Sequence, residues 1–375
     1  MSITRRTMIA RSAAAGAGAL LGDRAFPQSA GPEPPDVHAR VQQFMKDYSV
    51  PGMAITYVRG SRVLYAGCFG QADKSDHAPV QADSLFRIAS NSKAFTSAAI
   101  FLLVEQGKLT LEDMVFAPGG PLGQYSQIGA HRDWLHAITV HDLLTHTAGG
   151  WGNESNDPMF EQVGLNQDQL IAWTLKTHPL QNPPGVKYAY SNFGYCVLGR
   201  VIEHVSGLQY QQYVHQHVMN PAGIHDMRIA THKPAPYEVH YYGQGGENAY
   251  DIPITRMDSH GGWISTATDM AIFLAALFSP EDKEGAHPIL SLASLQTMTQ
   301  GTKANPGYAC GLAVNNAGNA WHAGSLPGTT SLMVHTRSGM SWAAVLNTRS
   351  PKQDQGTQMD TMLWQIAQSV PQWKA

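Results

Sequence analysis

The chain has 375 residues, with 25 Lys and Arg against 28 Asp and Glu, a net charge of −3, and 43% hydrophobic residues. That is enough apolar material for a sizeable core, and it excludes wholesale disorder. Charged residues reach only 14%, and 36 Gly with 22 Pro follow no triplet period, so neither a basic nucleic-acid-binding surface nor a collagen-like rod fits. The length allows two domains or one large one.

In chain order, residues 1–30 read as an export signal rather than structure. Arg5 and Arg6 precede a weakly apolar, Ala- and Gly-rich stretch over 12–21, a pattern of the twin-arginine type. The stretch is half of the roughly 20 residues a bilayer span needs, so the expected product is periplasmic or secreted, with no stable membrane insertion once the signal is removed. Pro32-Glu33-Pro34-Pro35 reads as a linker into a catalytic domain over 31–375.

Val37, Val41, Phe44 and Met45 fall on one face of a helix over 37–48, which Pro51-Gly52 stops. Two strand-like runs, 53–59 and 62–69, flank Gly60-Ser61 as a hairpin. The run 98–104 is apolar on every side and ends before Gly107, which predicts a buried helix. Helical patterns follow at 140–144, 167–177, 192–205 and 268–278, then short strands at 308–314, 320–322, 331–335 and 342–347, and a closing helix over 355–370. Strands at both ends with helices between predict an α/β (α+β) fold. One antiparallel sheet would be built from 36–92 and 286–375, and a largely helical part would occupy 93–285. Cys68, Cys196 and Cys310 are too few and too far apart for a disulfide scaffold, and their apolar neighbours predict small buried residues.

The chemistry narrows by elimination. There is no H-E-x-x-H, no G-x-S-x-G and no phosphate-binding glycine pattern, and His215-Gln216-His217 reads as surface histidines on an amphipathic helix. One S-x-x-K remains, Ser90-Asn91-Ser92-Lys93, at the start of the buried helix. Residues three apart share a helix face, and a helix start offers N–H groups that stabilise a developing oxyanion. An N-cap serine with a solvated lysine would look the same. Tyr190-Ser191-Asn192 opens a second helix, where the residues serve either as a cap or for proton transfer and carbonyl positioning. His322-Ala323-Gly324-Ser325 lies on an expected strand, whose small residues would let a substrate approach closely or simply form a turn.

These three motifs, in this order, resemble those of the serine β-lactamase and penicillin-binding-protein superfamily, nearest its class C-like branch of esterases, D-aminopeptidases and DD-carboxypeptidases. Leu85-Phe86-Arg87-Ile88, the stretches 107–113 and 143–150, and Gly261-Gly262-Trp263-Ile264-Ser265-Thr266 fit the same branch. The resemblance covers about residues 36 to 370. It implies an acyl-enzyme on Ser90, with Lys93 accepting the serine proton and Tyr190 relaying it to the leaving group and later activating water, and it leaves open which of Lys93 and Tyr190 is the principal base. Asn192 would bind Lys93 and the substrate oxygen, and the N–H groups of Ser90 and Ser325 would form the oxyanion hole beside Gly324. No cofactor or metal is implied.

Antibiotic-hydrolysing members usually carry Lys-Thr-Gly where this chain has His322-Ala323-Gly324. A histidine is mostly neutral at pH 7. The departure favours neutral, small-molecule or peptide esters and amides over β-lactams and cell-wall peptides, the substrates of the alternative class C β-lactamase or DD-carboxypeptidase reading. Arg349 is a candidate replacement cation, His146 is another candidate base in a loop that looks structural in this family, and Trp151 and Trp263 are candidates either to line the cleft or to pack. A catalytically dead binding protein is disfavoured by the joint presence of Ser90, Lys93, Tyr190 and Asn192.

Overall fold

The computed structural model describes residues 35–279 and 288–373, so the Arg5-Arg6 pair and the rest of the export signal read at 1–30 lie outside the described residues. A seven-stranded antiparallel sheet forms the centre, from β1 (Gly52–Arg59), β2 (Arg62–Asp73), β3 (Ala78–Pro79), β4 (Ala313–Val314), β5 (Ala320–Leu326), β6 (Thr329–His335) and β7 (Met340–Leu346), in the spatial order β3-β2-β1-β7-β6-β5-β4. The central pair joins the two ends of the chain, from Met53 opposite Leu346 to Arg59 opposite Met340. The expected mixed α/β architecture is therefore observed.

Strand periodicity explains the two-layered burial. Met53, Ile55 and Tyr57 of β1, with Trp342, Ala344 and Leu346 of β7, point to one face. There they meet α1 (Pro35–Asp47) and the closing helix (Gln355–Ser369) through Val37, Val41, Met359 and Leu363. Ala54, Val58, Ala343 and Val345 point to the other face and join the larger core. The small residues admit the helix α4 (Ala267–Leu277) against β1 and β7, where Thr268 and Thr56 share a hydroxyl hydrogen bond of 3.0 Å. Behind α4 runs α2 (Ser92–Glu105), buried nearly all round, with Phe95 stacked on Phe273 at 3.8 Å. The helix α3 (Asn192–Ser206) packs against α2 and ends at Gly207, whose φ of 72° supplies the left-handed cap.

Several expected elements change at their edges. The strand expected at 308–314 contracts to Ala313–Val314, because Gly311 at φ 75° turns the chain and leaves Tyr308 joined to Ala313 by an isolated bridge. The strand expected at 320–322 instead runs on to Leu326, and the next begins at Thr329 after a turn with Gly328 at φ 76°. Cys196 and Cys310 are buried as expected, but Cys68 is exposed. It sits on β2, opposite Ala54, with only the two-residue β3 outside it, so little chain covers it. His215 and His217 fall in a π-helical turn, with the His217 ring 4.4 Å from that of Tyr213. Among the described residues no group of His, Cys, Asp and Glu stands close enough to hold a metal ion, and no helix is long and apolar enough to cross a membrane.

Candidate active site

Ser90 lies in a 3₁₀ turn, Ala89–Asn91, two residues before α2 begins at Ser92. The preceding Ala89 has φ 49°, a left-handed conformation that a residue with a Cβ rarely adopts. Two neighbours hold the turn in place. The Ser331 hydroxyl and the Asn91 side-chain amide both donate to the Ile88 carbonyl, at 2.7 and 3.1 Å, and Asn91 also donates to Ser331 at 2.7 Å. Gly324 of β5 presses on the same group: a Cβ there would lie 2.2 Å from the Ile88 oxygen and 2.3 Å from Ser331 Oγ. The missing side chain is what lets β5 close onto the Ser90 turn.

Lys93 is fully buried one helical turn on, its Nζ 3.1 Å from Ser90 Oγ. It also donates to Asn192 Oδ1 at 2.7 Å and to the His260 carbonyl at 2.9 Å. Burial pulls its pKa down to about 7, against the opposing field of Asp157. Asn192 comes from the start of α3, where the Ser191 hydroxyl caps the helix by accepting from Gly194 N–H. Its amide is oriented from both sides: Oδ1 faces Lys93, and Nδ2 donates to Asp157 Oδ2 at 2.6 Å. Arg256 holds the loop after Asp157 through the carbonyls of Met159, Glu161, Gln162 and Leu165. Asp157 therefore belongs to the site although no periodic sequence pattern marks it.

Tyr190 hydrogen-bonds the Ser90 hydroxyl, and burial pushes its phenol pKa upward, so it stays protonated. Its ring lies 4.8 Å from Lys93 Nζ. Ser90, Tyr190, Asn192, His322, Gly324 and Ser325 all line one cavity of about 690 Å³, so the three motifs meet as expected.

The other residues singled out in the sequence are placed as follows. His322 lines the cavity, but both its ring nitrogens are engaged by the protein, with Tyr308 Oη at 3.1 Å and the Ala323 carbonyl at 2.7 Å. Its pKa is lowered to about 3, chiefly by burial, with Lys93 adding to the effect. It offers a substrate ring surface, not a cation. Arg349 also lines the cavity, but it is ion-paired with Glu247. Trp151 and Trp263 do not line it, and their indoles donate to the His178 carbonyl and the Tyr210 hydroxyl inside the core. His146 packs behind Tyr190 without lining the cavity, its ring 4.4 Å from that of Tyr190.

A serine hydroxyl beside a buried, neutralisable lysine on an α/β scaffold is the equipment of a serine hydrolase. The chain belongs to the Beta-lactamase family, whose sequence pattern matches residues 37–363. It is 27% identical over 308 residues to Penicillin-binding protein 4* of Bacillus subtilis (strain 168), covering 73% of this chain and 63% of that protein. It is 26% identical over 296 residues to Protein flp of Staphylococcus aureus (strain MW2), covering 76% of this chain and 57% of that one. The matches thus span less than two thirds of these relatives' lengths. Among solved structures, D-amino acid amidase from Ochrobactrum anthropi SV3 superposes with a TM-score of 0.71 at 23% identity, over 89% of this chain and 99% of that one. The octameric penicillin-binding protein homologue from Pyrococcus abyssi superposes at 0.68 and 22%, over 88% and 77%. At these identities the likeness concerns the fold.

Proposed function

We propose that the protein is an exported serine hydrolase that forms an acyl-enzyme on Ser90 and hydrolyses neutral ester or amide substrates. The observation that carries this reading is how the hydrogen bonds of Lys93 are distributed. A neutral amine has two N–H donors and one lone pair. Asn192 Oδ1 and the His260 carbonyl accept the two donors, so the lone pair faces Ser90 Oγ at 3.1 Å. With a pKa of about 7, much of the lysine is in that form at neutral pH.

The Ser90 hydroxyl proton passes to Lys93 Nζ as Oγ bonds the substrate carbonyl carbon. The N–H groups of Ser90 and Ser325 receive the oxyanion. The bond to the leaving group then breaks. The Tyr190 phenol supplies the leaving group's proton and is itself reprotonated by the Lys93 ammonium. Water hydrolyses the ester on Ser90 by the reverse relay. The elevated pKa of Tyr190 supports Lys93 as base and Tyr190 as donor in the first half-reaction.

The neutral His322 and the paired Arg349 support neutral substrates over carboxylate-bearing ones. The Arg5-Arg6 pair and the short apolar stretch behind it support export. The test compares a short-chain p-nitrophenyl ester with a chromogenic cephalosporin, using the protein and its Ser90→Ala variant. Ester turnover that Ser90→Ala abolishes, with little cephalosporin hydrolysis, is the expected result. Fast cephalosporin turnover would establish the β-lactamase alternative, and activity surviving Ser90→Ala would overturn the site.

A further inference from the structure

Beside the catalytic groups runs a line of three buried rings, His146, Tyr308 and His322, linked by two hydrogen bonds of 3.1 Å. Both ends of the line are tied to backbone. The Ser191 N–H donates to His146 Nδ1 at 3.1 Å, and His322 Nδ1 meets the Ala323 carbonyl at 2.7 Å. An amide N–H can only donate and a carbonyl can only accept, so these anchors determine every proton between them. His146 Nδ1 is an acceptor, so its proton sits on Nε2 and is donated to Tyr308 Oη. His322 Nδ1 carries the proton given to Ala323, so its Nε2 accepts from the Tyr308 O–H. The chain runs one way, with both imidazoles neutral and no donor or acceptor left over. Protonating either ring would set two donors face to face or leave the Tyr308 proton without an acceptor, in a place where burial already holds both histidines well below their ordinary pKa.

The anchors are the informative part. Ser191 lies between Tyr190 and Asn192, and Ala323 lies between His322 and Gly324. The line therefore bridges the backbone of the helix start that carries the proton donor to β5, which closes on Ser90. Its rings also wall in Tyr190, whose ring centre lies 4.4 Å from that of His146 and 6.0 Å from that of Tyr308.

We propose that His146 and Tyr308 are positioning residues of the hydrolytic site: with His322 they form a one-way hydrogen-bonded strut that sets Tyr190 at the distance from Ser90 and β5 needed to protonate the leaving group. The inference rests on the acyl-enzyme reading above. His146 has φ 59°, so the chain accepts a strained backbone at the position where the strut begins.

The strut matters most where the leaving group needs a proton. p-Nitrophenolate departs readily without one, and ethoxide does not. The experiment measures kcat and KM for p-nitrophenyl and ethyl esters of the same short acid, with Tyr308→Phe and His146→Asn. The phenylalanine removes the central hydroxyl. The asparagine tolerates the left-handed backbone and keeps an acceptor near Ser191 N–H, but loses the donor to Tyr308. The expected result is a kcat/KM, which reports acylation and not the hydrolysis of the shared acyl-enzyme, lower on the ethyl ester by about 10- to 100-fold, with less than about threefold loss on the p-nitrophenyl ester. Equal losses on the two esters in both variants would overturn the proposal, since a merely structural defect lowers both alike. Ser90→Ala in the same assay separates the two levels: if it abolishes both turnovers the acyl-enzyme reading stands whatever the strut variants do, and if it does not, reading and strut fall together.

Discussion

The two sides of the site are chemically opposite. On one, Ser90 and Lys93 form a pair between which a proton can move, with Asn192 and Asp157 orienting the lysine. On the other, His146, Tyr308 and His322 form a chain in which every proton is assigned. Desolvation acts on both with the same sign, lowering the pKa of each base. Because an unperturbed lysine starts near 10.4 and a histidine near 6.5, the same effect brings Lys93 to about 7 and His322 to about 3. Burial thus leaves the lysine able to exchange a proton near neutral pH and the histidine a neutral ring.

The largest test of that contrast is Lys93→Arg. A guanidinium keeps its charge where an amine gives it up, so kcat/KM should fall by about 10³ or more, roughly 4 kcal/mol of transition-state stabilisation, with the fold intact by circular dichroism. Retained activity would show that the neutral lysine is not the base.

Gly324→Ala attacks the junction of the two sides. Its Cβ would overlap the Ile88 oxygen and Ser331 Oγ, so we expect a loss of about 1–3 kcal/mol in a denaturant titration, with lowered kcat. A fully stable variant would mean that β5 can move away from the turn.

A smaller effect should separate the sides by pH. Lys93 is active when neutral, so kcat/KM is full above its pKa and falls about tenfold per unit as pH drops below about 7. Asp157 favours the charged lysine, so Asp157→Asn should move this acid limb to lower pH, by about half a unit. A shift to higher pH would assign the limb to another group. His322 titrates too low to add a limb between pH 5 and 9.

The smallest effect is expected at Arg349. Its partner Glu247 already uses the charge and the pair is about one-third exposed, so Arg349→Gln should change KM for a neutral ester by less than about twofold and stability by less than about 1 kcal/mol. A large loss confined to anionic substrates would restore Arg349 as a carboxylate receptor.

The mobile-proton side was the more legible one. Ser90 and Lys93 are three apart in one helical turn, and Tyr190 and Asn192 flank a helix cap, so local periodicity alone brings each pair together. The central hairpin and the helices were legible for the same reason. The fixed-proton side depends on three segments that meet only in the folded chain. Tyr308 stands just before a turn where a strand was expected, and His146 follows a short capped helix in a left-handed conformation. His322 could be placed at the cavity from its motif, but that both its nitrogens are already engaged follows from tertiary contacts. Asp157 escaped because its loop is held by Arg256, about a hundred positions away, and not by a pattern of its own. Cys68 was misjudged because apolar neighbours in a strand do not reveal how near the sheet's edge that strand lies.

The β1–β7 pair has a consequence for how the molecule is made. The Gly52 amide donates to the Asn347 side chain at 2.7 Å across 295 positions, and the register opposite β1 uses only residues 340–346. The centre of the sheet cannot close until nearly the whole chain has left the ribosome. Closing so long a loop carries an entropic penalty that only late contacts repay, which places this topology among slow folders. The turn that bears the nucleophile leans on β6 and β5, so the emerging chain carries Ser90 and Lys93 long before it can use them. Activity should therefore appear during refolding only with the final, slowest phase.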